Sequence, residues 1–249
     1  MRRGEVPMRR IFAYVQRDLI RWRRTPLNII STLAMPAAWL IFLGFVMPVR
    51  YDGSYLDFVT PGILVLTALT AGLAAGSSLM FDKTLGYLNK FLAVPAPRES
   101  ILYGKILFVT FRGVFQALII LIMAVAVGAS VMSAGAYIGT FVILAMFCAT
   151  ISALGTTVAL YLPDHDTYAA FQAILSMPLY FASTALIPMS GMTGVLKAVA
   201  VCNPLTYAMD AIRGFAAGSF PATDIAVISV FMILMLAVCG WKFRKVTLR

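Results

Sequence analysis

The sequence predicts an all-α membrane protein: an N-terminal amphipathic helix, six membrane-crossing helices, and a re-entrant helical hairpin before the last crossing. Three observations carry this prediction. First, 61% of the 249 residues are apolar or aromatic and only 12% are charged, against about 45–50% and about 25% in a soluble domain. Mean hydropathy is +0.90. A soluble globule of this length has too little interior to hide so much hydrocarbon, and the same composition excludes a disordered chain. Second, the apolar residues gather into runs close to the ~20 residues that cross a bilayer. Third, the basic residues are divided very unequally between the connecting segments. Six spans use about 120 residues, which leaves loops but no large soluble domain. Residues 1–249 therefore read as one transmembrane domain.

Residues 1–7 are polar. Residues 8–24 follow a helical period, with Met8, Ile11, Phe12, Val15, Leu19 and Trp22 on one face and Arg10, Arg17, Arg21 and Arg24 on the other. A helix of this kind lies in the membrane surface, and Trp22 on the apolar face suits an interfacial site. A solvated basic leader is the alternative. Thr25-Pro26 breaks this helix from the first span, residues 28–47, which carries Pro36 as a kink. The run is too long for the apolar region of a removable signal peptide.

After a polar loop at residues 50–57, the second span covers residues 58–80 and contains Gly72-Leu-Ala-Ala-Gly76, a spacing that lets helices approach closely. Residues 81–105 form the longest charged loop. Leu85, Leu88 and Leu92 stand at helical spacing there until Pro95 and Pro97 stop the pattern, so a short helix is expected under the membrane. The third span covers residues 106–128, the fourth 137–162 and the fifth 168–187, with Pro178 inside the fifth. Residues 188–220 do not read as a span. Two short helices fit, 195–201 and 204–217, with Asn203 as N-cap and Pro204 as the first helical residue. A hairpin dipping into the outer leaflet is expected. The sixth span covers residues 224–240 and ends in the basic, aromatic Trp241-Lys-Phe-Arg-Lys.

With the N-terminus inside, residues 1–27 contribute eight Arg, the 81–112 region five basic residues and the tail four. Only Arg50, Lys197 and Arg213 then lie outside. This asymmetry predicts both termini in the cytoplasm of a plasma-membrane protein. The net charge of +10 accordingly reads as loops facing anionic lipid, not as nucleic-acid binding.

Chemistry-bearing patterns are few. There is no G-x-x-x-x-G-K-[ST], since Gly104-Lys105 is followed by Ile106. Cys148, Cys202 and Cys239 all sit in apolar runs and read as packing residues. His165 lies between two aspartates at a turn, which reads as a solvated polar corner; one turn is poor metal-site geometry. No Ser/His/Asp or paired-carboxylate constellation falls within the spans, so no catalytic, metal or cofactor-binding residue is expected. Ion-coupled transporters place ionisable groups at membrane depth. Here Arg112, two turns into the third span with Gln116 one turn further on, is the main candidate, and snorkelling to the surface is the competing reading. Asp210 and Arg213 are spaced to pair with each other. A transport protein so equipped must draw its free energy from another subunit.

Three stretches resemble the permease subunits of type 2 ABC exporters, in the daunorubicin-resistance-like branch. One is Phe81-Asp82-Lys83-Thr84-Leu85-Gly86-Tyr87-Leu88 through Pro95, followed by Gly104-Lys105. Asp82, Tyr87 and Asn89 depart there from the family's usual Glu, Thr and Glu. The second is Asn203-Pro204-Leu205-Thr206-Tyr207 with Asp210 and Arg213, similar to the family's N-P-L-[ST]-Y-x-x-D-x-x-R. The third is the general plan.

The resemblance implies two permeases, read as a homodimer, with two cytoplasmic ATPase subunits that use ATP and Mg. It implies that Asp82, Lys83, Leu85, Gly86, Leu88 and Leu92, in the loop at 81–95, couple to the ATPase. It also places Asn203, Pro204, Asp210 and Arg213 in the outer hairpin at 188–220. The expected function is export of a hydrophobic or amphipathic compound, a drug, antibiotic or lipid. The alternatives are export of a polysaccharide or lipid-linked glycan, a non-transporting scaffold, and a membrane enzyme.

Overall fold

A computed structural model describes residues 8–45, 55–87, 99–185 and 189–245. Among the described residues there are nine α-helices, one short 3-10 turn at Met189–Gly191 and no strand. The helices are α1 (Met8–Arg23), α2 (Pro26–Phe45), α3 (Tyr55–Thr84), α4 (Glu99–Val127), α5 (Ala134–Ala159), α6 (His165–Phe181), α7 (Gly194–Cys202), α8 (Pro204–Ala216) and α9 (Ala222–Lys245).

Four of them, α3, α4, α5 and α9, are long and apolar enough to cross a membrane, and α7 with α8, bent by 80° between them, would make a fifth crossing if counted as one. The protein is thus a multi-pass membrane protein. Of the other two predicted spans, the first corresponds to α2, with 20 residues. The second corresponds to α6, whose 17 residues reach about 26 Å at 1.5 Å per residue.

The core is built around α3, which packs against α2, α4, α5, α6 and α8. Between lipid-solvated helices burial supplies little attraction, and close packing of small residues takes its place. The Gly72-x-x-x-Gly76 spacing does this work on α5. A methyl group at Gly72 would stand 2.8 Å from the Ile151 Cβ, and one at Gly76 would collide with the Gly155 carbonyl and the Tyr168 hydroxyl. The Tyr168 hydroxyl donates to the Leu73 carbonyl at 2.6 Å and so ties α6 to α3. Several threonine hydroxyls along the spans are satisfied by their own helices, as in Thr67 to the Ile63 carbonyl at 2.7 Å and Thr157 to the Ala153 carbonyl at 2.7 Å, whereas those of Thr110 and Thr140 are buried without a hydrogen-bond partner. Apolar side chains such as Ile30, Ile122, Ile138, Ile174 and Ile233 face outward, as lipid solvation requires.

Helix α1 does more than skim a surface. Its Tyr14 packs on Gly104 and its Trp22 stands edge-on to Phe115, ring centroids 5.6 Å apart. These two α4 residues are about 16 Å apart along the helix. The buried face of α1 includes Asp18 and leaves Phe12 exposed, so the packed face is rotated from the purely apolar one.

The largest departure from expectation lies at the predicted 81–105 loop. α3 continues through Thr84, and α4 begins at Glu99, so Asp82, Lys83, Glu99 and Lys105 are helical. Gly86, at φ +71°, turns the chain after α3, a backbone state that favours glycine. Leu88, Leu92, Pro95 and Pro97 lie outside the described residues. α6 begins three residues before the predicted fifth span because Asp164 caps it, accepting from the Thr167 N–H at 2.7 Å. Hydrogen bonds from the Thr167 N–H and hydroxyl hold the Asp164 carboxyl below its ordinary value. The cap therefore contributes above the unfolded carboxylate pKa and is lost as pH falls through the lowered one.

Candidate functional site

At one end of the bundle, helices α1, α3, α4, α6 and α9 and the turn after α5 exchange polar contacts. Lys105 on α4 is buried and donates to the Ser78 carbonyl at 3.0 Å, to the Ser78 hydroxyl at 2.9 Å and to the Asp82 carboxylate. Asp82 is itself 3% exposed. Arg17 of α1 comes to 3.9 Å from the same carboxylate and also pairs with Asp18. Burying two charges is tolerable only when each finds its counter-charge and further hydrogen bonds, and Ser78 with Arg17 supplies them. Beside this junction, Lys83 donates to the Leu162 carbonyl at 2.8 Å, His165 meets the Ser77 hydroxyl at 2.8 Å, and Arg244 pairs with Glu99. The ends of α3, α4, α5, α6 and α9 are thereby locked to one another.

Of the residues expected to couple to a partner, Asp82 thus points into the protein and Lys83 is engaged with α5's outgoing turn. Leu85 is 58% exposed and Gly86 forms the turn. Lys105 and Ser78, which complete the junction, were not singled out by sequence pattern. The legible signal was opposite charge on the two flanks of one loop, Asp82 and Lys105. His165 does not stand free in solvent: it lies against Phe81, ring centroids 4.3 Å apart.

At the other end, the Asn203-Pro204 hairpin docks on the C-terminus of α6. The Asn203 side chain accepts from the Leu205 N–H at 3.0 Å and donates to the Leu179 and Ala182 carbonyls at 2.7 and 3.0 Å. One side chain therefore caps α8 and satisfies two carbonyls at the end of α6. Asp210 and Arg213, expected to pair with each other, meet through Thr184: its hydroxyl donates to Asp210 at 2.8 Å, and Arg213 donates to its carbonyl at 2.7 Å. Arg213 also stacks over Phe58 at 4.4 Å. The motif acts as a brace between α8, the end of α6 and the start of α3. Asn203→Ala is expected to destabilise the protein by about 2–3 kcal/mol, the loss of a cap plus unsatisfied carbonyls. A lowered thermal unfolding midpoint of the purified protein checks this.

Between these ends lies a partly open cavity of about 540 Å³ lined by α2, α3, α4 and α6, within the usual 300–1,000 Å³ of small-molecule sites; Met35, Met177 and Phe181 on its wall are more than half exposed. Its wall is mostly apolar, with Met35, Trp39, Leu66, Met177 and Phe181 prominent. Arg112 and Gln116 both line it. Arg112 lies about 20 Å along α4 from Glu99, close to the middle of that 29-residue helix. Arg112 thus stands against the cavity, near mid-helix. Gln116 donates to the Thr32 hydroxyl at 2.6 Å and joins α4 to α2. Among the cysteines, Cys148 and Cys239 are buried as expected of packing residues, whereas Cys202 is exposed.

Residues 9–216 match the family model described as ABC-2 type transporter. A relative from Cyanophora paradoxa, named transport permease ycf38, is 34% identical over 82% of this chain and 72% of its own length. The doxorubicin-resistance permease DrrC of Mycobacterium tuberculosis is 28% identical over 81% of this chain and 75% of its own length. The daunorubicin-resistance permease DrrB1 of Streptomyces coeruleorubidus is 21% identical over 95% of this chain and 83% of its own length. An all-helical membrane bundle matched to this family over most of its length is a transport subunit: the chain belongs to the ABC-2 type transporter family.

Proposed function

We propose that this chain is the membrane-spanning subunit of an ATP-driven exporter for a hydrophobic or amphipathic compound, powered by a separate ATPase. The observation that carries the reading is the partly open 540 Å³ cavity between the helices of a membrane bundle, apolar over most of its wall. Such a wall suits a drug-sized or lipid-like molecule. Permeases that share the family and are named for doxorubicin and daunorubicin resistance support the same cargo class.

In this reading six helices cross the bilayer, α2, α3, α4, α5, α6 and α9, with both termini in the cytoplasm and the α7–α8 hairpin toward the outside. The basic residues of α1, of the segment after α3 and of the tail support that orientation. The Asp82–Lys105 junction then lies at the cytoplasmic end, where two copies of the ATPase would grip the segment from Leu85 to Leu92. ATP binds in the partner, and its differential affinity for two arrangements of the ATPase pair supplies the free energy. Because Asp82 is turned inward, its part is to hold the end of α3 rigid, while Lys83, Leu85 and Gly86 lead into the gripping segment. A second permease, an identical copy, completes the path.

The test is reconstitution of the chain with its cognate ATPase in vesicles, offered a panel of labelled drugs, lipids and glycans. ATP-dependent movement of an apolar or amphipathic member is expected. Movement of glycans alone would reject the cargo class.

A further inference from the structure

Arg112 is the one charged side chain among the described residues that line the cavity. Its Nε is buried with no hydrogen-bond partner. The ion pairs among the described residues all lie elsewhere, at Arg17, Lys105 and Arg244. An unpaired charge away from water is costly, and charged groups inside membrane proteins are normally found with a partner. The guanidinium offers several donors and no acceptor, in a fork that fits a carboxylate or phosphate. Around it, Gln116, Gln172, Ser31, Thr32, Ser176, Thr70 and the Tyr180 phenol add uncharged polar groups, and the rest of the wall is hydrocarbon, sulfur and aromatic ring.

We propose that the cavity binds an amphiphile carrying a single anionic group, with that group held by Arg112 and the apolar body lying against Trp39, Met35, Met177 and Phe181. This deepens the exporter reading and rests on it for the claim that the ligand is cargo. A cation gains nothing here, because among the described residues no carboxylate lines the chamber to offset Arg112. A polyanion would find one counter-charge only. A neutral amphiphile leaves the guanidinium unpaired. The anionic group can come from a free acid or from an acidic phospholipid of the bilayer.

The sequence has three tryptophans, Trp22, Trp39 and Trp241, and only Trp39 lines the cavity. The experiment uses the full chain in a neutral detergent with Trp22→Phe and Trp241→Phe, so that Trp39 alone fluoresces. Quenching is titrated with dibromostearic acid, dibromostearyl alcohol and dibrominated phosphatidylglycerol. The acid is expected to quench at about tenfold lower concentration than the alcohol, roughly 1.4 kcal/mol. Arg112→Gln should raise the acid's concentration to the alcohol's, while Arg112→Lys keeps part of the difference. Ala74→Phe, which fills the chamber without removing the charge, should abolish tight quenching by the acid.

Equal quenching by acid and alcohol, or acid binding unchanged by either Arg112→Gln or Ala74→Phe, overturns the proposal. Tight quenching by phosphatidylglycerol as well as by the free acid supports it and assigns the anion to lipid; tight quenching by the acid alone supports it and assigns a free acid. Binding here needs neither ATP nor a partner. Its failure therefore leaves the exporter reading intact, and failure of transport with Trp39 quenching preserved counts against that reading alone.

Discussion

Asp82→Ala is expected to cost about 3–5 kcal/mol, because it leaves the Lys105 ammonium buried without a counter-charge. Lys105 is 2% exposed and reaches Ser78 and Asp82. Arg17, the other cation near that carboxylate, would gain nothing from its removal and would then repel Lys105. Against a typical total of about 5–15 kcal/mol, such a loss should sharply lower the amount of folded protein recovered from membranes. The double variant Asp82→Ala with Lys105→Met should recover most of it, since an apolar pair of similar volume replaces the ion pair without an orphan charge. Fluorescence-detected size exclusion after a heating series measures both. Equal thermal midpoints for the single variant and the wild type would show that the junction is not stabilising.

The second large effect concerns transmission of force. Aspartate at Leu85, Leu88 and Leu92 together should leave membrane insertion and yield unchanged, because Leu85 is more than half exposed. Transport per ATP hydrolysed by the partner should fall about tenfold or more, a loss of at least ~1.4 kcal/mol of coupling. Paired measurements of hydrolysis and vesicle transport check this. Undiminished transport per ATP would remove the segment from the coupling path. The contrast with Asp82 is informative: both positions belong to one sequence stretch, yet one variant is expected to act on folding and the other on the partner.

Much of the helix order was legible because long apolar runs have few other fates. α3, α4, α5 and α9 fall where hydropathy puts the second, third, fourth and sixth predicted spans. The hairpin was legible as well: Asn203 caps and Pro204 opens α8, as their conformational preferences require. Helix ends were less legible. A span predicted from hydropathy stops at the first charge, whereas α3 and α4 run on through Asp82 and Lys105 because those two charges neutralise each other inside the fold. That pairing needs residues 23 apart in sequence to face one another, which periodicity does not report.

The cavity was the least legible feature. Arg112 and Gln116 stood out as polar residues in an apolar run, but the chamber they line also takes Trp39 from α2 and Gln172 and Met177 from α6. Packing at Gly72, Gly76 and Gly155 fixes how α3, α5 and α6 face one another, which the apolar content of a single helix does not report. His165 followed the same rule. Its contact with Ser77 depends on where α6 is anchored by Tyr168 on α3.

The central claim is that a membrane subunit without its own motor is driven by a separate ATPase. The most direct measurement is ATP hydrolysis by the purified chain alone, by the cognate ATPase alone, and by the two reconstituted together in one vesicle preparation. The account predicts no hydrolysis from the chain alone, and hydrolysis by the complex that changes with an added amphiphile and drives its movement across the vesicle membrane. Nucleotide hydrolysis by this chain in isolation, or amphiphile movement that proceeds equally without the ATPase, would contradict it.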